Sequence, residues 1–245
     1  MRFRGLILLL CLMGSGLLHA EDADNLARIH VEAIGGKMRL NLLRSLRVNG
    51  NVMIDGRYLE FTLLAQRPNR IRMETRTSEH TIVQATDGVN PPWQMDPNAE
   101  PLAPRIIAGK EALEFSADAE FDDPLVDYAS KGYTVDYAGT VTSGGRRLFR
   151  LLITRRNTVA YHLLLDAETY FIAGKEAVRD MGYGREVKIE TWYEDFRPVG
   201  GIIMPHRIKV LADGKPLHET VLQKVDPNVP VPAGIFTMPE VALKP

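Results

Sequence analysis

A single cysteine is all that this chain of 245 residues holds, and Cys11 lies inside the apolar run Leu6–Met13. Once that run is removed, neither a disulfide nor thiol chemistry is available, and stability rests on a packed core. Long apolar stretches are missing as well: no second segment reaches the roughly 20 residues a membrane-spanning helix needs. Charge of one sign is not in excess, with 30 Lys and Arg against 31 Asp and Glu and both signs mixed, which argues against a nucleic-acid binder with its basic stripe. No G-x-S-x-G, Walker loop, H-E-x-x-H or C-x-x-C occurs, and this argues against an enzyme. His30, His80, His162, His206 and His218 show no metal-ligand spacing such as i, i+4. The acidic run Asp118, Glu120, Asp122, Asp123 lacks the turn glycine and alternating ligands of a calcium loop. No metal or cofactor is therefore expected. Gly182-Tyr183-Gly184 is half of a dinucleotide fingerprint, but it falls between two strand patterns and reads as a turn. No repeat of fixed period is present.

What the sequence does have begins at its N-terminus. Arg2 and Arg4 precede the apolar run, and Leu18-His19-Ala20 ends in a small residue just before Glu21-Asp22. That is the layout of a secretory signal peptide over residues 1–20, with cleavage near Ala20 and export to a periplasm. A lipid anchor on Cys11 is disfavoured, because Leu8-Leu9-Leu10 precede it where a small residue is needed. Residues 21–245 are then expected to form one domain, long enough to bury roughly 70% of its unfolded surface.

Asp24–Leu43 reads as helix broken at Gly35-Gly36, with Asp24 as its N-cap and Leu26, Ile29 and Ala33 at helical spacing. From Ser45 the apolar period drops to two, and Asp55-Gly56 marks a hairpin. Strands are expected through Thr86, then around Trp93. A helical patch over Ile106–Phe115 is expected to cover the sheet rather than pair within it. Further strands are expected at Tyr133–Val141, Leu148–Thr154, Val159–Leu165, Tyr170–Ala177, Glu186–Tyr193, Met204–Leu211 and Leu217–Val225. About a dozen short strands with turn chemistry between them predict a mainly β, α+β fold built on one large antiparallel sheet or barrel. The proline-rich tail from Pro227 is expected to run extended along the surface.

Apolar residues exceed what a one-sided sheet requires. Phe149–Ile153 and Leu163-Leu164-Leu165 are apolar on both faces, and Tyr58–Ala65 is nearly so. Ordinary core explains part of this. The alternative is a sheet curled around a cavity, lined by Leu59, Phe61, Leu63, Ile71, Met73 and Trp93, with Leu152, Tyr161 and Leu163 from later strands. The early helix and the Ile106–Phe115 segment would act as a lid over it.

Arg67-Pro68-Asn69-Arg70-Ile71-Arg72-Met73-Glu74, then Asp87-Gly88, then Trp93 and Asp96-Pro97, resembles the first half of the LolA family. Those are periplasmic carriers of lipoproteins. Ala33–Leu46 is similar to the opening helix of the broader LolA-like group, and Asp123–Tyr128, Leu165–Tyr170 and Met204-Pro205 resemble its recurrent stretches. Val89-Asn90-Pro91-Pro92 departs from the polar turn usual before the tryptophan. The resemblance implies an unclosed β-barrel with a helical lid over a hydrophobic cavity. It also implies a monomeric periplasmic carrier of lipoprotein acyl chains or another lipid, with an inner-membrane donor complex and an outer-membrane acceptor as partners. A non-enzymatic periplasmic sensor or envelope-assembly module that recognises lipidated proteins is the alternative. An arginine joining lid to barrel is expected, and Arg67, Arg70 and Arg72 are the candidates.

Overall fold

The computed structural model describes residues 15–99, 103–155, 159–180 and 185–240. Cys11, most of the predicted signal segment, the Gly182-Tyr183-Gly184 turn and the last five residues of the tail lie outside the described residues.

Helix α1 (Ser15–Ala33) leads, followed by α2 (Lys37–Leu42). The helix continues through Asp24, so this residue is not the predicted N-cap; its carboxylate instead accepts from the Tyr128 hydroxyl. Gly35 separates the two helices with φ near +131°, and a Cβ there would press on the Gly201 carbonyl and the Ile202 backbone. Only glycine suits both the conformation and the close approach.

Six strands then run as a meander: β1 (Ser45–Ile54), β2 (Arg57–Gln66), β3 (Arg70–Arg76), β4 (Thr81–Thr86), β5 (Trp93–Met95) and β6 (Arg105–Ile106). The two-residue strand β6 pairs with β5, so the start of the expected covering segment joins the sheet after all. Helix α3 (Gly109–Asp118) follows. A second meander comprises β7 (Thr134–Ser143), β8 (Arg146–Thr154), β9 (Tyr161–Asp166), β10 (Ile172–Asp180), β11 (Glu186–Val199), β12 (Ile202–Ala212) and β13 (Lys215–Pro227). Antiparallel pairing of β1 with β13 fuses the meanders into one 13-stranded sheet, ordered β6-β5-β4-β3-β2-β1-β13-β12-β11-β10-β9-β8-β7. Its edges, β6 and β7, do not pair, so the curled sheet is an unclosed barrel.

Register assigns the two faces. Leu46, Val48, Gly50 and Val52 of β1 oppose Ala65, Leu63, Phe61 and Leu59 of β2, and this row continues through Ile71 and Met73 of β3. On the far half of the same face, Leu151, Ile153, Tyr161, Leu163 and Leu165 pack against Ala23, Leu26 and Ala27 of α1. Helix α1 therefore fills the β7–β10 half of the concave side. Leu40 and Leu43, at and just past the end of α2, pack with Leu46, Val126, Val199 and Ile202 and close one end of the barrel. The outer face carries its own small cluster of Leu148, Leu164 and Ala173. That cluster explains why β8 and β9 read as apolar on both faces.

Candidate functional site

The concave side divides into a filled half and an open half. Val52, Leu59, Leu63, Met73, Ile208 and Leu222 share the inner face of β12-β13-β1-β2-β3, and all six stay partly exposed. A contiguous apolar wall that keeps access to solvent suits a binding surface better than a finished core. Phe61 lies on the same face but is buried, its ring filling the space beside Gly50. Ile71 is buried near the end closed by α2.

The remaining predicted lining residues separate. Tyr161 and Leu163 face inward, but both are buried in the cluster beneath α1. Leu152 pairs with His162 and lies on the outer face, one residue out of phase with Leu151 and Ile153. Trp93 pairs with Ala85, a row that register places on the outer face. Its indole Nε1 donates to the Phe236 carbonyl at 2.9 Å, so it anchors the tail rather than lining the concavity.

The three arginines also part company. Arg67, just after β2, donates from Nε to the Leu43 carbonyl and from Nη2 to the Leu40 carbonyl, each at 2.6 Å. Its Nη1 pairs with Asp122, and its guanidinium lies 4.9 Å from the Phe121 ring centroid. Leu40 lies in the last turn of α2, where its carbonyl also accepts from the Leu43 amide at 3.2 Å, and Leu43 is the extended residue that caps the helix. One side chain thus binds the end of α2, the end of β2 and the segment after α3. Arg70 donates to Gln66 at the surface. Arg72 pairs with Glu74, donates to the Ile235 carbonyl at 3.3 Å and lies over Trp93, so it holds the tail on the outer face. In the same stretch, Asn69 packs directly against Gly88, which explains why the Arg-Pro-Asn and Asp-Gly motifs occur together.

Sequence reasoning missed a buried ion pair. His30 of α1, 1% exposed, sits 3.2 Å from Asp123, and its Nδ1 contacts the Tyr170 carbonyl at 2.7 Å. Burial is the largest influence on the imidazole and pulls its pKa down. The Asp123 charge and hydrogen bond, with the Tyr170 carbonyl, outweigh it, and the pKa is raised. Asp123 moves the opposite way: burial would raise it, but His30, the Leu125 amide and Lys131 hold it below the usual carboxylate range. The pair fixes α1 to the connector after α3. No sequence signal marks it, because the two residues are far apart in the chain and each looks ordinary alone.

Helix α3 differs from the other covering elements in burying none of its side chains. Glu114 pairs with Arg179 of β10 at 2.9 Å, and Leu113 is exposed. Among the described residues, no group of three or more His, Cys, Asp or Glu is arranged to hold a metal ion. No helix among them is long and apolar enough to cross a membrane.

No family model matches the chain, and no curated protein matches it in sequence. Solved structures do match. A DUF1329 family protein from Desulfovibrio piger superposes with a TM-score of 0.62 at 11% identity, over 89% of this chain and 96% of that one. A domain named as an outer membrane lipoprotein-sorting protein from Vibrio parahaemolyticus gives 0.60 at 11% identity, over 89% and 97%. A LolA superfamily protein from Nitrosomonas europaea gives 0.59 at 14% identity, again over 89% and 97%. The fold is therefore LolA-like.

Proposed function

We propose that the protein is an exported, non-enzymatic carrier that takes up the acyl chains of a lipoprotein or another lipid and passes them toward the outer membrane. The reading rests above all on the partly exposed apolar wall of Val52, Leu59, Leu63, Met73, Ile208 and Leu222 on the concave side. The Arg67 contacts to the last carbonyls of α2 support it, since they give the lid a defined resting position. The names of the Vibrio and Nitrosomonas structures, lipoprotein-sorting and LolA superfamily, agree with such a role. Residues 1–20 would direct export and be removed, placing the remaining chain in the periplasm.

Native mass spectrometry of the protein purified from a periplasm, with lipid extraction of the same sample, tests this. A stoichiometric lipid or lipopeptide is the expected result. An empty protein that also takes up no fluorescent fatty acid would overturn the reading and leave the sensing or assembly role.

A further inference from the structure

The concave side is not uniformly apolar. Register places Lys175 of β10 opposite Leu163 on one side and Thr191 on the other, hence on the inner face. Its ammonium lies 4.7 Å from the centroid of the Tyr161 ring. No carboxylate among the described residues comes within the 4.0 Å of an ion pair with it. Arg179 stands two inner-face positions further along β10, and its charge adds to burial in lowering the pKa of His218. His218 pairs with Ile54 of β1, two residues beyond Val52. The inner face of the sheet thus carries an apolar wall on β12-β13-β1-β2-β3 and two cations on β10, the strand at the border of the half that α1 fills.

Holding a partly buried ammonium on an apolar face without an ion-pair partner costs stability. The ionisation behaviour agrees. Burial above all pushes Lys175 down; Asp118 opposes this, and Arg155 and Arg179 add to it. Burial above all pushes Asp118 up, with Lys175 the leading opposing charge. Asp118 ends α3, the helix that buries nothing, and Glu114 one turn earlier holds Arg179. Glu114 thus pairs with Arg179, while Asp118 acts on Lys175 through its charge without pairing with it.

We propose that Lys175, with Arg179, receives the oxyanion headgroup of an amphiphile whose chains lie on the apolar wall, and that Glu114 of α3 occupies Arg179 until the headgroup displaces it. This rests on the carrier reading and narrows it to anionic cargo. A carboxylate and a phosphate share the required chemistry. Ligand entry and release of α3 become one exchange, in which the headgroup anion replaces Glu114 on Arg179.

The test titrates the full purified protein with cis-parinaric acid and, separately, with its uncharged methyl ester. The acid should bind at least ~10-fold more tightly than the ester, the scale of one charge-assisted contact. Lys175→Met should remove that preference and leave the ester unaffected, Lys175→Arg should retain it, and Asp118→Asn should tighten the acid. Displacement by lysophosphatidylglycerol in preference to oleate assigns a phosphate headgroup, and the reverse order assigns a carboxylate. Equal binding of acid and ester by the wild type overturns the inference and leaves the carrier reading standing. So does acid binding that Lys175→Met does not change, or that Asp118→Asn weakens. Binding of neither probe removes the carrier reading and this inference together. Because Asp118→Asn is isosteric and Lys175→Arg keeps the charge, a folding defect in Lys175→Met does not block the test.

Discussion

Replacing Arg67 by leucine isolates the contact between lid and barrel. The wild-type guanidinium makes two hydrogen bonds to carbonyls at 2.6 Å, pairs with Asp122 and lies against Phe121, with its own side chain 17% exposed. Hydrogen bonds from a charged donor contribute about 1.5–3 kcal/mol each. Taking the lower end for both, and setting the ion pair and ring contact against the gain from rehydrating Leu40 and Leu43 carbonyls, the closed position of α2 loses about 3 kcal/mol. If cargo must lift α2 to reach the wall, that free energy opposes binding in the wild type. Its removal should raise affinity for a fluorescent acyl probe by about 100-fold. The same change should lower the melting temperature by roughly 6–12 °C for a chain of this size. Amide exchange across Lys37–Leu42 should accelerate, because the helix loses its C-terminal partner. Arg67→Lys keeps the charge without the planar fork and should fall between the two. A folded Arg67→Leu protein whose α2 exchanges faster, yet binds the probe no more tightly, would refute the link between this contact and cargo entry.

Two concave positions should respond differently to a buried charge. Leu63→Asp lies on the partly exposed wall and should abolish acyl binding with the near-UV circular dichroism unchanged, whereas Phe61→Asp removes the ring that covers Gly50 and should cost about 3–5 kcal/mol in a denaturant melt. The His30–Asp123 pair should give a pH signature. The raised His30 value contributes stability fully below pH 6.5 that is lost as pH rises through the folded pKa, and the lowered Asp123 value contributes stability above pH 3.8 that is lost as pH falls through its own. Asp123→Asn should therefore destabilise by about 3 kcal/mol near pH 5.5, and the gap to wild type should narrow as pH rises above 6.5; a gap constant from pH 5 to 8 would count against a charged pair. Trp93→Phe removes the indole donor to the Phe236 carbonyl and should cost about 1 kcal/mol while speeding proteolysis of the tail, with acyl binding unaffected.

Period-two patterns told strand from helix because alternation survives any curvature of the sheet. The Asp55-Gly56, Asp213-Gly214 and Gly200-Gly201 turns were legible because their positive φ values restrict residue choice. Which face looks inward was harder to see. Trp93 is apolar and follows the right motif, but the row through Arg72, Ala85 and Trp93 is out of phase with the row through Met73, Gln84 and Gln94. Leu152 was misplaced for the same reason: the outer cluster of Leu148, Leu164 and Ala173 makes both faces apolar there, and alternation no longer marks the interior. Arg67 could be nominated from its motif, yet its partners were invisible, because backbone carbonyls carry no sequence signature. The same holds for Lys175, a lysine in a strand pattern that shows its unusual setting only when Tyr161 and Leu163 are placed beside it.

The division of labour among the three helices follows from what release demands. A sixteen-carbon chain buried completely would gain on the order of 12 kcal/mol at about 0.8 kcal/mol per methylene, a nanomolar affinity from one chain alone. Delivery is slow from so deep a minimum unless part of the gain is offset. Here α1 is committed to the core by Leu26 and the buried His30 and is poorly suited to move. Helix α2 is held by Leu40 and Leu43 together with Arg67, an attachment of a few kcal/mol. Helix α3 has no fully buried side chain and is tied to β10 by the Glu114–Arg179 pair, which in the proposed exchange an incoming anion replaces at little net cost. Ordered by the strength of attachment, α3 yields first, α2 sets the resistance and α1 stays. In the proposed carrier, cargo would therefore work against a barrier of intermediate height, and the affinity of the wall would be brought down to a range from which it can be passed on.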